Sequence, residues 1–317
     1  MPFTDILAQD HILEHFRKTI TANHLSHAYI FTGQDGVGKT LLAKEFSKAI
    51  SCTENKDDSC NLCHNCIRIE KNNHPDIYWI DIEEKAKFIK IENIRNLQHS
   101  VRLSPVESDY KIFIIKEADR MNEEASNCLL KTLEEPSGDT ILILVSDAPA
   151  RLLPTIRSRC RQMAFPVPER SLALNWLQVM ISDDTQAVAC LDEMGGRPLA
   201  AKALFEQDGL ALRRHCDEAL TSWAAGQKTL SETSELLLER ELEFLLDWLT
   251  QRFHSLFRSA MVGQEDQLTT PWRQWVTRPA TRISLQLDAA LEMRAQLQRG
   301  VALNKRLALE TFLINWA

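Results

Sequence analysis

Along the first 166 residues, short unbroken apolar runs alternate with segments whose apolar residues recur at helical spacing. The runs Ala28–Thr32 (AYIFT), Ile77–Ile82 (IYWIDI), Lys111–Lys116 (KIFIIK), Thr140–Ser146 (TILILVS) and Gln162–Phe165 read as strands. Between them Leu41–Ile50, Ile91–Val101, Asn122–Leu133 and Leu152–Arg157 read as amphipathic helices. Strands with little polar alternation, separated by helices, are buried on both faces, so the pattern predicts a parallel sheet covered by helices. Pro166-Val-Pro168 interrupts the rhythm, and beyond it no segment has the pattern of a strand. Ser171–Met180, Asp184–Met194 and Pro198–Phe205 predict the short helices of a lid. After a polar stretch at Gln207–Asp208, longer helices are predicted over about Ala211–Ala225, Leu230–Met261 and Ile283–Trp316, with Val262–Pro279 as a loop. In the second of these, Leu238, Leu242, Leu245, Leu246, Leu249, Phe253 and Phe257 share one helical face. The expected fold class is an α/β module with a parallel sheet (1–166), a small helical lid (167–207) and an all-α C-terminal domain (208–317).

Composition narrows the function classes. With 44% hydrophobic and 26% charged residues, the chain can bury ordinary globular cores. Its formal charge of −7 excludes a wholly basic, non-specific nucleic-acid surface. The opening MPFTDILAQDHILEHF lacks a basic stretch followed by an apolar one, so no secretory leader is expected. No apolar run has the length of a membrane helix. A cytoplasmic protein without structural disulfides is therefore expected. Five of the seven tryptophans lie beyond residue 200 and read as core filling between helices.

Gly33-Gln-Asp-Gly36-Val-Gly38-Lys39-Thr40 matches G-x-x-x-x-G-K-[ST] and sits between a predicted strand and a predicted helix, where a phosphate loop belongs. Its glycines let backbone N–H groups face phosphate oxygens, Lys39 has the reach for the β- and γ-phosphates, and Thr40 is a Mg²⁺ ligand. Bound ATP with Mg²⁺ is the implied cofactor. Turnover needs more. An acid at the end of the third strand should hold Mg²⁺, and the next carboxylate should polarise water. Here the first position is Lys116, a cation that opposes Mg²⁺ and is poised to pair with a phosphate or with Glu117. Glu117 stands at the second position, and Asp119, two residues on, is expected to face elsewhere. The pattern implies weak nucleotide binding or binding without efficient hydrolysis.

Four of the eight cysteines form Cys52-x7-Cys60-x2-Cys63-x2-Cys66, while Cys128, Cys160, Cys190 and Cys216 are scattered. Four clustered thiolates close a tetrahedral shell, which suits structural Zn²⁺. Four cysteines also suit an iron–sulfur cluster, but nothing redox-like surrounds them, and zinc is preferred. His64, wedged between two ligands, is not expected to bind the metal. The flanking charges are mixed (Glu54, Lys56, Asp57, Asp58, then Arg68, Glu70, Lys71), a poor phosphate footprint for a zinc-dependent nucleic-acid binder.

SHAYIFTGQDGVGKT, the four cysteines, LLKTLEEP (Leu129–Pro136) and SRC (Ser158-Arg159-Cys160) together resemble the bacterial clamp-loader subunits of DNA polymerase III, members of the AAA+ class. The likeness spans about residues 24–165 and returns in ALNKRLALETFL (Ala302–Leu313), similar to the family's terminal helix. It implies an AAA+ module, a lid and a helical collar that joins five subunits into an open ring. In such rings ATP sits at interfaces, and Arg159 matches the arginine finger offered in trans to a neighbour's ATP. Ser146 matches the polar position that senses the γ-phosphate. At the lid position of a phosphate-binding arginine, alignment puts Leu199, not Arg197. A motor subunit of the gamma or tau kind needs the acid and the lid arginine that are missing here. The resemblance therefore implies the stator (delta-prime) kind. Such a subunit belongs to a DNA-directed DNA polymerase holoenzyme, a nucleotidyltransferase, and has at most weak ATPase activity of its own. Its partners would be gamma/tau and delta subunits in a hetero-pentameric ring, with the sliding clamp and primed DNA, and no membrane. A motor subunit or a self-contained AAA+ ATPase of DNA metabolism is the alternative, distinguished by free-standing ATP turnover.

Overall fold

The computed structural model describes residues 9–22, 24–55, 57–83, 86–136, 139–262, 272–298 and 301–316. The chain divides into two compact units, Met1–Gln207 and Asp208–Ala317. The first contains β1 (Ala28–Thr32), β2 (Ile77–Ile80), β3 (Lys111–Ile115), β4 (Thr140–Ser146) and β5 (Arg161–Ala164). Its helices are α1 (Asp10–Thr21), α2 (Lys39–Ser51), α3 (His64–Glu70), α4 (Ile91–Val101), α5 (Glu123–Glu134), α6 (Pro154–Arg159), α7 (Arg170–Met180), α8 (Asp184–Glu193) and α9 (Pro198–Glu206). The strands pair in parallel in the order β2-β3-β4-β1-β5. From β1 the chain crosses to the β2 edge and later returns past β1 to β5. The crevice beyond the carboxyl ends of β1 and β4 therefore lies at a reversal of strand order, where open parallel sheets bind ligands.

Alternation along the strands builds two cores. Ile112 and Ile114 of β3 and Ile141 and Ile143 of β4 join Phe16 of α1 and Leu42 and Phe46 of α2. Phe113, Ile115, Leu142 and Leu144 face the other way, against Ile94 and Leu97 of α4 and Leu129 of α5. Every residue of β3 and β4 is buried, which is why the sequence shows no polar alternation there. The expected parallel sheet, covered on both faces, is what forms.

The second unit contains α10 (Gly209–Ala224), α11 (Leu230–Leu238), α12 (Leu242–Val262), α13 (Trp272–Trp275), α14 (Ala280–Gln298) and α15 (Lys305–Trp316). Two expectations are corrected here. The single helix over 230–261 is α11 and α12, separated at Glu239–Glu241 without a glycine or proline to announce it. Tertiary packing sets the break: α11 packs on α15, and α12 packs on α14. The helix expected over 283–316 is likewise α14 and α15. Of the expected loop 262–279, residues 263–271 lie outside the described residues, and the remainder includes α13. The tryptophans do fill a core. Trp248, Trp272 and Trp316 are fully buried, and the Phe253 ring meets Trp272 and Trp316 edge-on at 5.2 and 4.8 Å. Among the described residues, no helix is long and apolar enough to cross a membrane.

Candidate functional site

β1 ends at Thr32, and the loop that follows turns into α2, whose first residue is Lys39. Gly36 and Gly38 take φ of +80° and +101°, a region that side chains with a Cβ rarely enter. Gly36 is doubly constrained, because a Cβ there would lie 2.5 Å from the Ala200 Cβ of α9. The lid thus rests on the phosphate loop itself. The Leu199 N–H donates to the Gly36 carbonyl at 3.1 Å, and the Arg197 guanidinium donates to the Asp35 carbonyl at 3.1 Å. Gly33 opens the loop, and Thr40 follows Lys39 in the first turn of α2. The Lys39 ammonium is only 4% exposed and pairs with Asp147 at 2.7 Å. It also donates to the carbonyls of Gly33 (2.8 Å) and Gln34 (2.7 Å).

Asp147 had no part in the sequence reading. It follows Ser146 at the end of β4, beside β1, so the strand order alone marks its position as a site position. By surface area it is 44% exposed, yet it sits deep enough in the crevice that burial raises its carboxyl above the ordinary range. Lys39 pulls it back, while Asp35 and Asp119 add like-charge repulsion.

The charges at the end of β3 pair locally. Lys116 pairs with Asp81 at 2.7 Å and lies over the Trp79 ring at 5.7 Å, so its cation is held at the β2 edge and not on Glu117. Glu117 takes the left-handed φ of +44° and pairs with Arg120 at 2.7 Å. Ser146 is fully buried, and its hydroxyl donates to Asp119 at 2.8 Å. The same Asp119 oxygen accepts the Asp147 N–H at 3.2 Å. Asp119 therefore joins the end of β4, a contact that its spacing from Glu117 did not reveal.

The four predicted cysteines come together, with their sulfurs within 4.8 Å of one another. Cys52 and Cys63 lie 4.0 Å apart, as do Cys60 and Cys66. A tetrahedron with Zn–S bonds of about 2.3 Å has S···S edges of about 3.8 Å, so this donor set fits a closed thiolate site. Backbone N–H groups of Cys63 and Leu62 reach the Cys60 sulfur at 3.2 and 3.4 Å, and that of Asn55 reaches Cys52 at 3.3 Å. Burial works to raise the Cys63 thiol, but hydrogen bonds from Cys66 and Thr53 outweigh it and hold Cys63 below the ordinary thiol range. Burial, with Cys63 beside it, pushes Cys66 up. His64 is 72% exposed and faces Glu107 at 3.7 Å.

A buried ion network roots this knuckle in α2. Lys48 is inaccessible and holds Glu45 at 2.7 Å, Glu70 at 2.8 Å and Asn61 at 2.8 Å. Asn65 of α3 donates to the Ser51 carbonyl at 2.9 Å. The knuckle is therefore tied to the phosphate-loop helix at both ends of its excursion. Lys48 lies inside a helical apolar pattern, where a lysine signals nothing by itself.

Arg159 lies in the last turn of α6, with its side chain 36% exposed. It pairs with Glu134 of the LLKTLEEP segment at 2.7 Å and donates to the Thr155 carbonyl at 3.0 Å. Neighbouring Cys160 is buried, and burial pushes its thiol up to about 12, the opposite of a reactive thiolate.

The comparisons with known proteins agree with this architecture. A family model described as "DNA polymerase III, delta subunit" matches residues 8–169. The DNA polymerase III subunit delta′ of Pseudomonas aeruginosa is 31% identical over 303 residues, covering 92% of each chain. The DNA polymerase III subunit tau of Escherichia coli is 34% identical over 161 residues, 50% of this chain and 25% of that one. A crystal structure of a DNA polymerase III gamma subunit-related protein from Thermotoga maritima aligns with a TM-score of 0.50 at 17% identity, covering 95% of this chain and 97% of that one. That likeness concerns the fold, which is the AAA+ fold that the motifs implied. Since the family model covers half of the chain and the similarity to a delta′ subunit runs over nearly all of it, the chain belongs to the DNA polymerase III delta′ subunit family.

Proposed function

We propose that this chain is the stator of a clamp loader, one that works beside gamma/tau subunits and lends Arg159 to ATP bound by a neighbour. Similarity to both delta′ and tau subunits supports a clamp-loader complex that includes gamma/tau. The finer reading is a cytoplasmic hetero-pentameric ring, with delta, that opens the sliding clamp over primed DNA. In it the four cysteines hold structural zinc. The three domains are the AAA+ module (1–166), the lid (167–207) and the collar (208–317), and the chain's own phosphate loop binds ATP/Mg²⁺ weakly or leaves it unhydrolysed.

The observation that carries this reading is a contrast within one module. The hydrolytic positions are occupied by Lys116, tied to Asp81, and by Leu199, which has no charge, while Glu117 is engaged by Arg120. Arg159, by contrast, is held at the surface by one exposed carboxylate and a carbonyl of its own helix. An exposed ion pair contributes about 0–1 kcal/mol, so Glu134 yields the guanidinium to a phosphate at little cost. A guanidinium delivered to a transferring phosphoryl group accelerates that site by about 10³-fold or more.

In a complex reconstituted with gamma/tau and delta subunits, Arg159→Ala is expected to leave assembly intact by gel filtration. It should remove the served interface's share of DNA-stimulated ATP turnover. Glu134→Ala should assemble and turn over normally. Unchanged turnover in the Arg159→Ala complex would remove Arg159 from the catalytic role.

A further inference from the structure

A P-loop lysine usually contributes to affinity by pointing its ammonium at the β- and γ-phosphates. An ammonium has three N–H donors. In this chain all three of Lys39's are engaged, by the Gly33 carbonyl, the Gln34 carbonyl and an Asp147 carboxylate oxygen, at 2.7–2.8 Å. Two of these acceptors belong to the loop itself. The third is an anion, the charge type that a phosphate would offer the lysine.

Asp147 is itself fixed. Its N–H donates to Asp119, whose other partner is the buried Ser146 hydroxyl, so the β4 end holds the carboxylate facing the loop. From the lid, the Leu199 N–H and Arg197 close on Gly36 and Asp35. The Asp147 carboxylate feels Lys39, Asp35 and Asp119, and the Arg197 guanidinium stands at the Asp35 carbonyl.

We propose that Asp147 sets the nucleotide affinity of this phosphate loop, acting as an internal phosphate mimic that occupies Lys39 and must be displaced before ATP or ADP can engage it. This rests on the reading above of the P-loop as weakly binding, and it assigns the cause to one residue. The loop keeps its phosphate-binding backbone and its lysine, but the lysine is already neutralised. Lys116 and Leu199 account for absent hydrolysis. Asp147 accounts for weak binding.

The test is a double-mutant cycle on the whole chain, with binding of a fluorescent ATP analogue in Mg²⁺ followed at equilibrium. Asp147→Asn keeps the shape and removes the charge. It is expected to tighten binding by about ten- to a hundredfold, the worth of one charge-assisted hydrogen bond regained by phosphate. Asp147→Ala should do the same, and thermal melts of both variants verify their folding. Lys39→Met is the other single variant of the cycle, and combined with Asp147→Asn it should abolish the gain, since only the released lysine binds phosphate. Equal affinity of wild type and both Asp147 variants overturns the proposal. So does a gain that survives loss of Lys39, which would reduce Asp147 to diffuse repulsion. Wild-type binding tighter than about 1 μM would instead overturn the reading of a weak site on which the proposal rests.

Discussion

Stripping the zinc that we propose for the four-cysteine knuckle is expected to lower the melting temperature of the purified chain by about ten degrees. Structural zinc contributes roughly 10–16 kcal/mol to the folding of zinc-finger peptides. Here the rest of the module has its own two cores, so roughly a third of that should be felt globally. In a unit of this size each kcal/mol moves the melt by about 2–4 °C. The Lys48 network and Asn65 anchor the base of the knuckle, and the metal would hold its cysteine-bearing end. Its sulfurs are fixed to one another and to nearby backbone N–H groups, and Leu62 at its tip is 82% exposed. The measurement is a thermal melt before and after exhaustive chelation, with metal content followed by elemental analysis. Cys60→Ser should reproduce the loss without chelator. One zinc per chain, without visible absorbance, is expected and would exclude iron–sulfur. A chain fully stripped of metal that melts unchanged would end the structural-metal reading.

The second large effect is expected from Lys48→Met. The ammonium is fully buried and is the charge partner of Glu45, itself only 1% exposed. Removing one member of a buried ion pair leaves the other unpaired in low dielectric, at a cost of about 3–5 kcal/mol. Glu70 is 57% exposed and can turn to water, so the cost falls mainly on Glu45. Lys48→Met combined with Glu45→Gln should therefore recover a large part of the loss in urea unfolding. A single variant as stable as the wild type would show that the network is dispensable.

The same network predicts a pH signature. The Lys48 hydrogen bond, opposed by burial and aided by Lys44, holds Glu70 down to about 2. A depressed carboxylate stabilises the fold fully above its unfolded value of 4.5, and that stability is lost as pH falls toward 2. Burial raises Glu45 despite Lys48, so its contribution has the opposite sense and favours the acid side. Lys48→Met should flatten the Glu70-linked fall between pH 4.5 and 2, read from urea midpoints across that range.

The parts of the site that were legible in the sequence are those whose residues are close neighbours in the chain. The phosphate loop lies within eight residues and the cysteine cluster within fifteen, so type and spacing imply geometry. The strands were legible because β3 and β4 are buried on both faces and carry polar residues only at their ends, Lys111, Thr140 and Ser146. The helix break at Glu239–Glu241 was not legible, because α11 and α12 turn toward different partners and no residue type marks the junction. Helix α1 was missed although Ile12, Leu13 and Phe16 carry a helical pattern. Helix α3 was not legible because its seven residues include His64, Asn65, Arg68 and Glu70, which leave too short an apolar pattern to stand out.

By itself the sequence determined the parallel α/β module, a phosphate loop, a four-thiolate cluster, an SRC arginine and the two residues, Lys116 and Leu199, that speak against hydrolysis. Only the tertiary structure decided what each of these side chains touches. Lys39 meets Asp147, Lys116 meets Asp81, Ser146 meets Asp119, Arg159 meets Glu134, and Lys48 anchors the knuckle. The reason is physical. Motifs record short-range geometry that the covalent chain imposes. The partner of a charge depends on which strand ends and helices the packed cores bring within about 3 Å, and the residues involved are up to 108 positions apart, as with Lys39 and Asp147. The phosphate loop was written in the sequence, but the acid that occupies its lysine was not.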